Sequence, residues 1–245
     1  MRVLLVLTSI LLTYNHSIAE EIVEGGSVAV ETSENYTAPY KERRGQHGVL
    51  FAIEMEKFYP TDYESLNNDV YIENVIGTER INLVGFEIGY KHNISIGSIS
   101  ALFNYAKGTA DGARTLDVVR QGIAGNIALD GLFSEPWVVP YFQFGAHQFS
   151  VAETSRTFSL ADSASIAFNY RYGLLFQLNW IENAIDKSSQ ADALRSSGLE
   201  NTFIDIYFAD HLASSRARDP SDLLSEGEPN LASAGEMGVG LKLEF

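Results

Sequence analysis

The chain has 245 residues, with 32 Asp and Glu against 17 Lys and Arg, a formal net charge of −15 and no cysteine. An acidic excess of this size argues against nucleic acid as a partner, since phosphate binding needs a basic footprint. Without cysteine the chain has neither disulfides nor a lipidated anchor, and its length suits a single all-β domain.

Taken in chain order, Met1-Arg2 is a short basic start, Val3 to Leu12 is almost unbroken apolar sequence, and Ser17-Ile18-Ala19 offers a small-x-small cleavage site. This predicts a secretory signal peptide over residues 1–19, because the apolar run falls short of the roughly 20 residues that span a bilayer. Residues 20–45, rich in Glu, Gly, Ser and Thr and ending in Lys41-Glu42-Arg43-Arg44-Gly45, read as a flexible periplasmic N-terminal segment with little core-forming content. The barrel domain is expected over residues 46–245.

From there the chain alternates with a period of two, as a strand with unlike faces must. The first candidate, about 48–58, sets Val49, Phe51, Ile53 and Met55 against Ala52, Glu54 and Glu56. The second, about 81–91, sets Val84, Phe86, Ile88 and Tyr90 against Gly85, Glu87, Gly89 and Lys91, and the pair His92-Asn93 reads as the turn into a third over 94–107. A fourth, 116–129, opposes Val119, Ile123, Ile127 and Leu129 to Arg120, Gly122, Ala124 and Asn126; a fifth runs over 137–152. The sixth is the most regular. Phe168, Tyr170, Tyr172, Leu174, Phe176, Leu178 and Trp180 form one face, aromatic at both ends and aliphatic between, as two membrane interfaces select. A seventh, 202–212, places Ile204, Ile206 and Phe208 outward and Asp205 and Tyr207 inward. The last carries Met237, Val239, Leu241, Leu243 and Phe245 on one face and Glu236, Gly238, Gly240, Lys242 and Glu244 on the other.

Eight such strands predict a closed, antiparallel, up-and-down transmembrane β-barrel, because an open edge in hydrocarbon would leave unsatisfied amides. Residues 59–79, 108–115, 153–162 and 213–233 are then the surface loops. The connection 182–200 is long for its side, with helix-compatible composition over 183–197.

Residues 46–245 resemble the eight-stranded OmpA-like and opacity-type bacterial outer-membrane β-barrel family. The resemblance rests on Ser17-Ile18-Ala19, on Pro140-Tyr141-Phe142-Gln143-Phe144-Gly145 and on Gly238-Val239-Gly240-Leu241-Lys242-Leu243-Glu244-Phe245. It implies residence in the outer membrane of a Gram-negative bacterium after cleavage near Ala19. It also implies outer-membrane lipid and lipopolysaccharide as surroundings, and Phe245 as the residue read by the barrel-assembly machinery. Family members span structural and adhesive barrels, small channels and lipid-modifying enzymes, so activity must come from the site.

Phase sends Glu54, Glu56, Glu87, Lys91, Arg120, His147, Arg171, Asp205, Glu236, Lys242 and Glu244 into the lumen. That lumen is wide enough only for side chains to fill, so the charges are expected to pair across it. The sequence favours a non-enzymatic structural or surface-interaction barrel with this network as its plug. A small channel is the alternative, gated by Arg171 exchanging partners among Glu87, Glu236 and Glu54, and a lipid-modifying enzyme is the second. His147 and Ser150, three apart, fall on opposite faces of a strand and make a poor relay. His47 and Asp210-His211 read as isolated, giving no metal site and no cofactor. Loops 59–79 and 213–233 are the candidate extracellular ligand surface, with Tyr59, Tyr63 and Tyr71 set among acids.

Overall fold

The computed structural model describes residues 39–67, 70–178, 198–219 and 226–245, all within the compact unit Glu34–Phe245. The elements are α1 (Tyr40–Arg43), β1 (His47–Phe58), α2 (Ile72–Val75), β2 (Ile81–Ile94), β3 (Gly97–Asp111), β4 (Thr115–Ala128), β5 (Val138–Thr154), β6 (Ser159–Ser163), β7 (Ala167–Gln177), β8 (Asn201–His211) and β9 (Ser233–Glu244). All strand pairings are antiparallel. They run β1–β2–β3–β4–β5–β7–β8–β9 and close where β9 pairs β1, from Leu50↔Glu244 to Glu56↔Gly238. The ring is a closed eight-stranded up-and-down barrel, with β6 paired to the far end of β5 beyond it.

The alternation read in the sequence sets the two faces. Val49, Ile53, Met55, Val84, Ile88, Tyr90, Phe168, Tyr172, Leu174, Val239 and Leu241 are exposed on the outside, Tyr170, Phe176, Leu178 and Leu243 are half-buried there, and Trp180 lies outside the described residues. Of the charged residues on the same strands, Glu54, Glu56, Glu87, Lys91, Arg171, Glu236, Lys242 and Glu244 point inward and are buried, while Lys57 at the end of β1 is exposed. A water-soluble barrel arranges its faces the other way round; this surface suits hydrocarbon. Among the described residues no helix is long and apolar enough to cross a membrane, which has no bearing on crossing by strands.

Two bulges break the alternation where the sequence does. Ser150 pairs Ser163 while His147 pairs Ala167, so β5 spends two residues (148 and 149) where the opposite chain spends three, Ala164, Ser165 and Ile166. The extra residue flips the outward parity from odd in β6 to even in β7. Between β8 and β9 the register shifts after Ala209, and Gly235 sits there at φ +68°, a left-handed conformation that costs glycine little.

The structure also corrects several expectations. The turn between β2 and β3 falls at Ser95-Ile96, not His92-Asn93, because β1 extends far enough for His47 to pair His92 and for the Asn93 amide to donate to the Gln46 carbonyl. The loops expected at 108–115 and 153–162 are mostly strand. Polar outward pairs such as Thr115 Oγ1 to Asp111 Oδ1 (2.7 Å) and Ser150 Oγ to Ser163 Oγ (2.9 Å) continue the ladder into water, leaving only 112–114 and 155–158 as turns. Polar composition suggests a loop, yet a strand clear of hydrocarbon has no need of apolar residues. The helix expected over 183–197 lies outside the described residues.

Candidate functional site: the lumen

The lumen is filled in three layers. At its middle β1 contributes Glu54 and Glu56 on one inward row, β2 Glu87, β4 Arg120, β7 Arg171 and β8 His211. Arg171 grips Glu54 with both terminal nitrogens, Nη1 to Oε2 at 2.7 Å and Nη2 to Oε1 at 3.2 Å, and Nη1 also reaches Glu87 Oε1 at 3.1 Å. Arg120 donates to Glu56 at 2.8 and 3.0 Å and to Glu54 Oε1 at 3.0 Å. Glu54 thus bridges two guanidinium groups, a fork geometry that lysine would not supply. His211 Nε2 lies 2.8 Å from Glu56 Oε1, and Gln143 Nε2 donates to Glu87 at 3.0 Å. The Arg171 guanidinium stands 3.9 Å from the centre of the Tyr207 ring. That ring fits because its cross-strand partner is Gly238: a Cβ there would come within 2.0 Å of it.

Residues placed by the sequence in the periplasmic leader close the end that holds the turn between β2 and β3. Residues 20–45 were expected to form a flexible segment, but Tyr40 at the start of α1 is fully buried. Its hydroxyl donates to Glu244 Oε2 at 2.6 Å and accepts from Lys91 Nζ at 2.6 Å. Lys91 also pairs Glu244 and Asp130, each at 2.7 Å, and Arg44 pairs Asp130 at 2.8 Å. Burial, reinforced by the Glu244 carboxylate, raises the Tyr40 phenol well above its ordinary range, so it stays a donor. A tyrosine directly after a proline in a polar stretch was the available signal.

The opposite mouth is capped by the segment between β1 and β2. Residues 59–79 were expected as a tyrosine-and-acid surface loop, but Tyr63, Ile72 of α2, Val75 and Ile76 turn inward and are buried among Phe58, Leu116, Phe149 and Val151. Glu153 of β5 secures this lid, accepting from Ser65 Oγ at 2.8 Å, the Leu66 amide at 2.9 Å and Tyr63 Oη at 3.2 Å, with Arg114 beside it. Burial, then Glu153, pushes the Tyr63 phenol upward. The tyrosine at 71 stays exposed.

Of the residues expected in the lumen, Glu54, Glu87, Arg120 and Arg171 meet in the central layer. Asp205 and Lys242 form a neighbouring pair at 3.9 Å, with Tyr141 Oη donating to Asp205 at 3.0 Å. Glu236 is buried too but joins none of these. It accepts from the Tyr59 amide at 3.0 Å and pairs Arg80 near the lid, so exchange of Arg171 onto it, as the gating alternative required, finds no support in the geometry. His147 is buried edge-on to His211, with ring centroids 5.1 Å apart, while Ser150 faces outward, as opposite faces demand. His211, isolated in the sequence, belongs to the central layer; it lies in phase with Asp205 and Tyr207, a signal the sequence held.

No protein-family model and no curated protein matches the chain. Among solved structures it is similar to the attachment invasion locus protein Ail of Yersinia pestis, with 12% identity over 82% of this chain and 99% of that one, at a TM-score of 0.45. It is similar to Neisserial surface protein A, with 10% identity over 82% and 98% at 0.44. The third is the N-terminal β-barrel domain of Pseudomonas aeruginosa OprF, with 12% identity over 82% and 100% at 0.45.

Proposed function

We propose that this chain is a non-enzymatic outer-membrane β-barrel with a closed lumen and a structural or surface-interaction role. The observation that carries the reading is the sealing of the lumen at three successive levels, by Tyr40 with Lys91, by the Arg120 and Arg171 layer, and by the lid on Glu153. Export after cleavage near Ala19, lipid contact for the row from Phe168 to Trp180 with Val239, Leu241 and Leu243, and recognition of Phe245 by assembly machinery belong to the same reading. Reconstituted into planar bilayers, the folded protein is expected to hold no steady conductance. A stable ohmic current would instead favour the small channel.

An interaction surface would be offered by the parts that project past the apolar rows: the hairpins 109–117 and 150–163, together with the exposed Tyr71 and Arg216 of the longer loops. Loss of ligand or cell binding on replacing 155–158 by a two-residue turn supports that role. A changed lipid A mass spectrum on expression would point to the lipid-modifying enzyme.

A further inference from the structure

The pairing of β1 with β2 brings together two histidines 45 positions apart. His47 and His92 are directly opposite on the outer face, at the rim beside the seam where Val49 and Phe245 exchange hydrogen bonds. The Asn93 amide donates to the Gln46 carbonyl, which makes His47 and His92 a non-hydrogen-bonded pair, the site type at which cross-strand side chains lie closest. Their Nδ1 atoms face each other at 3.2 Å, and the Tyr90 hydroxyl is within hydrogen-bonding reach of the same His47 nitrogen.

With the Tyr90 hydroxyl as donor, that arrangement oversubscribes one atom. A neutral imidazole nitrogen offers either one proton or one in-plane lone pair. If the Tyr90 hydroxyl donates to His47 Nδ1, the facing His92 nitrogen must either compete for the same lone pair or oppose it with its own. A cation between the two nitrogens resolves the conflict. With metal–nitrogen bonds of about 2.0–2.1 Å, two ligands held between a right angle and a tetrahedral angle stand about 2.9–3.4 Å apart, which brackets the observed spacing.

We infer that His47 and His92 form a bidentate site for a divalent first-row transition ion, with the Tyr90 phenol and water available to complete its shell. Two imidazoles favour copper(II) most strongly, with zinc(II) and nickel(II) below it. Among the described residues no group of three His, Cys, Asp or Glu side chains converges as a metal site, so this is an exposed clamp, not a closed structural centre. Its effect is to tie β1 to β2 at the rim. The other described histidines, His147 and His211, are buried in the lumen and out of an ion's reach.

The test titrates copper(II) sulfate into the folded, untagged full chain in detergent. One equivalent is expected to bind, with two-nitrogen ligation in the electron paramagnetic resonance spectrum and a raised thermal midpoint. His47→Gln and His92→Gln should each weaken binding at least tenfold, while Tyr90→Phe keeps the two-nitrogen signal. Gel mobility before and after boiling verifies that each variant is folded. Undiminished binding in the folded double variant, a spectrum without two nitrogens, or no saturable uptake would overturn the inference.

Discussion

Arg171 shows what a single residue does in this lumen. It neutralises Glu54 and Glu87 from a fully buried position, so Arg171→Ala leaves Glu87 without its bonded cation and Glu54 with only Arg120. Breaking a buried pair from one side costs about 3 to 5 kcal/mol, and urea unfolding in detergent should register a loss of that order. Glu87→Gln should restore part of it, whereas Glu236→Gln, bound to Arg80 instead, should simply add. Additivity of Arg171→Ala with Glu87→Gln would mean that the two do not share a network. Gly238 supports the same cluster by its lack of a side chain. Gly238→Ala must displace the Tyr207 ring from beneath Arg171, and the overpacking is expected to cost about 1 to 3 kcal/mol. The double change Gly238→Ala with Tyr207→Leu should recover the steric part.

At the scale of elements, β7 and the lid test opposite faces of the same wall. Leu174 lies outward at the middle of the apolar row, so Leu174→Arg should cost about 2 to 4 kcal/mol if it sits near the bilayer midplane. Spin labels at 174 and 176 should collide with oxygen dissolved in lipid while a label at 175, whose leucine is buried inside, should not; the inverse pattern would reverse the assigned faces. The lid rests on apolar packing, with Ile72 and Val75 of α2 buried against Phe58 and Phe149. Ile72→Asp is expected to release it without opening the ring. Amide exchange should then accelerate over residues 63–76 and stay slow in β1 and β9, and uniform acceleration would show that lid and barrel unfold together.

For the whole molecule, the two phenols that are buried outside the strands among the described residues set an alkaline limit. Tyr40 and Tyr63 have folded pKa values raised above the ordinary value near 10, so the unfolded chain loses their protons first. Their contribution to stability is complete below pH about 10 and falls as pH rises beyond it. Unfolding midpoints should therefore decline above that pH, and Tyr40→Phe with Tyr63→Phe should flatten the decline. The ring of strands and its two faces were legible in the sequence because alternation is local: each of Val239, Leu241 and Leu243 declares its side through its neighbours. The bulges leave a trace there too, where Gly235 and the stretch Ala164 to Ile166 break the period. What only tertiary structure decided was which inward charges meet. Phase sends Glu236 and Glu54 to the same interior, but barrel register sets one beside Arg80 and the other between Arg120 and Arg171. The same holds for Tyr40, the lid and the His47–His92 pair. Their partners lie tens to hundreds of positions away, and strand stagger, which no local pattern encodes, determines who stands opposite whom.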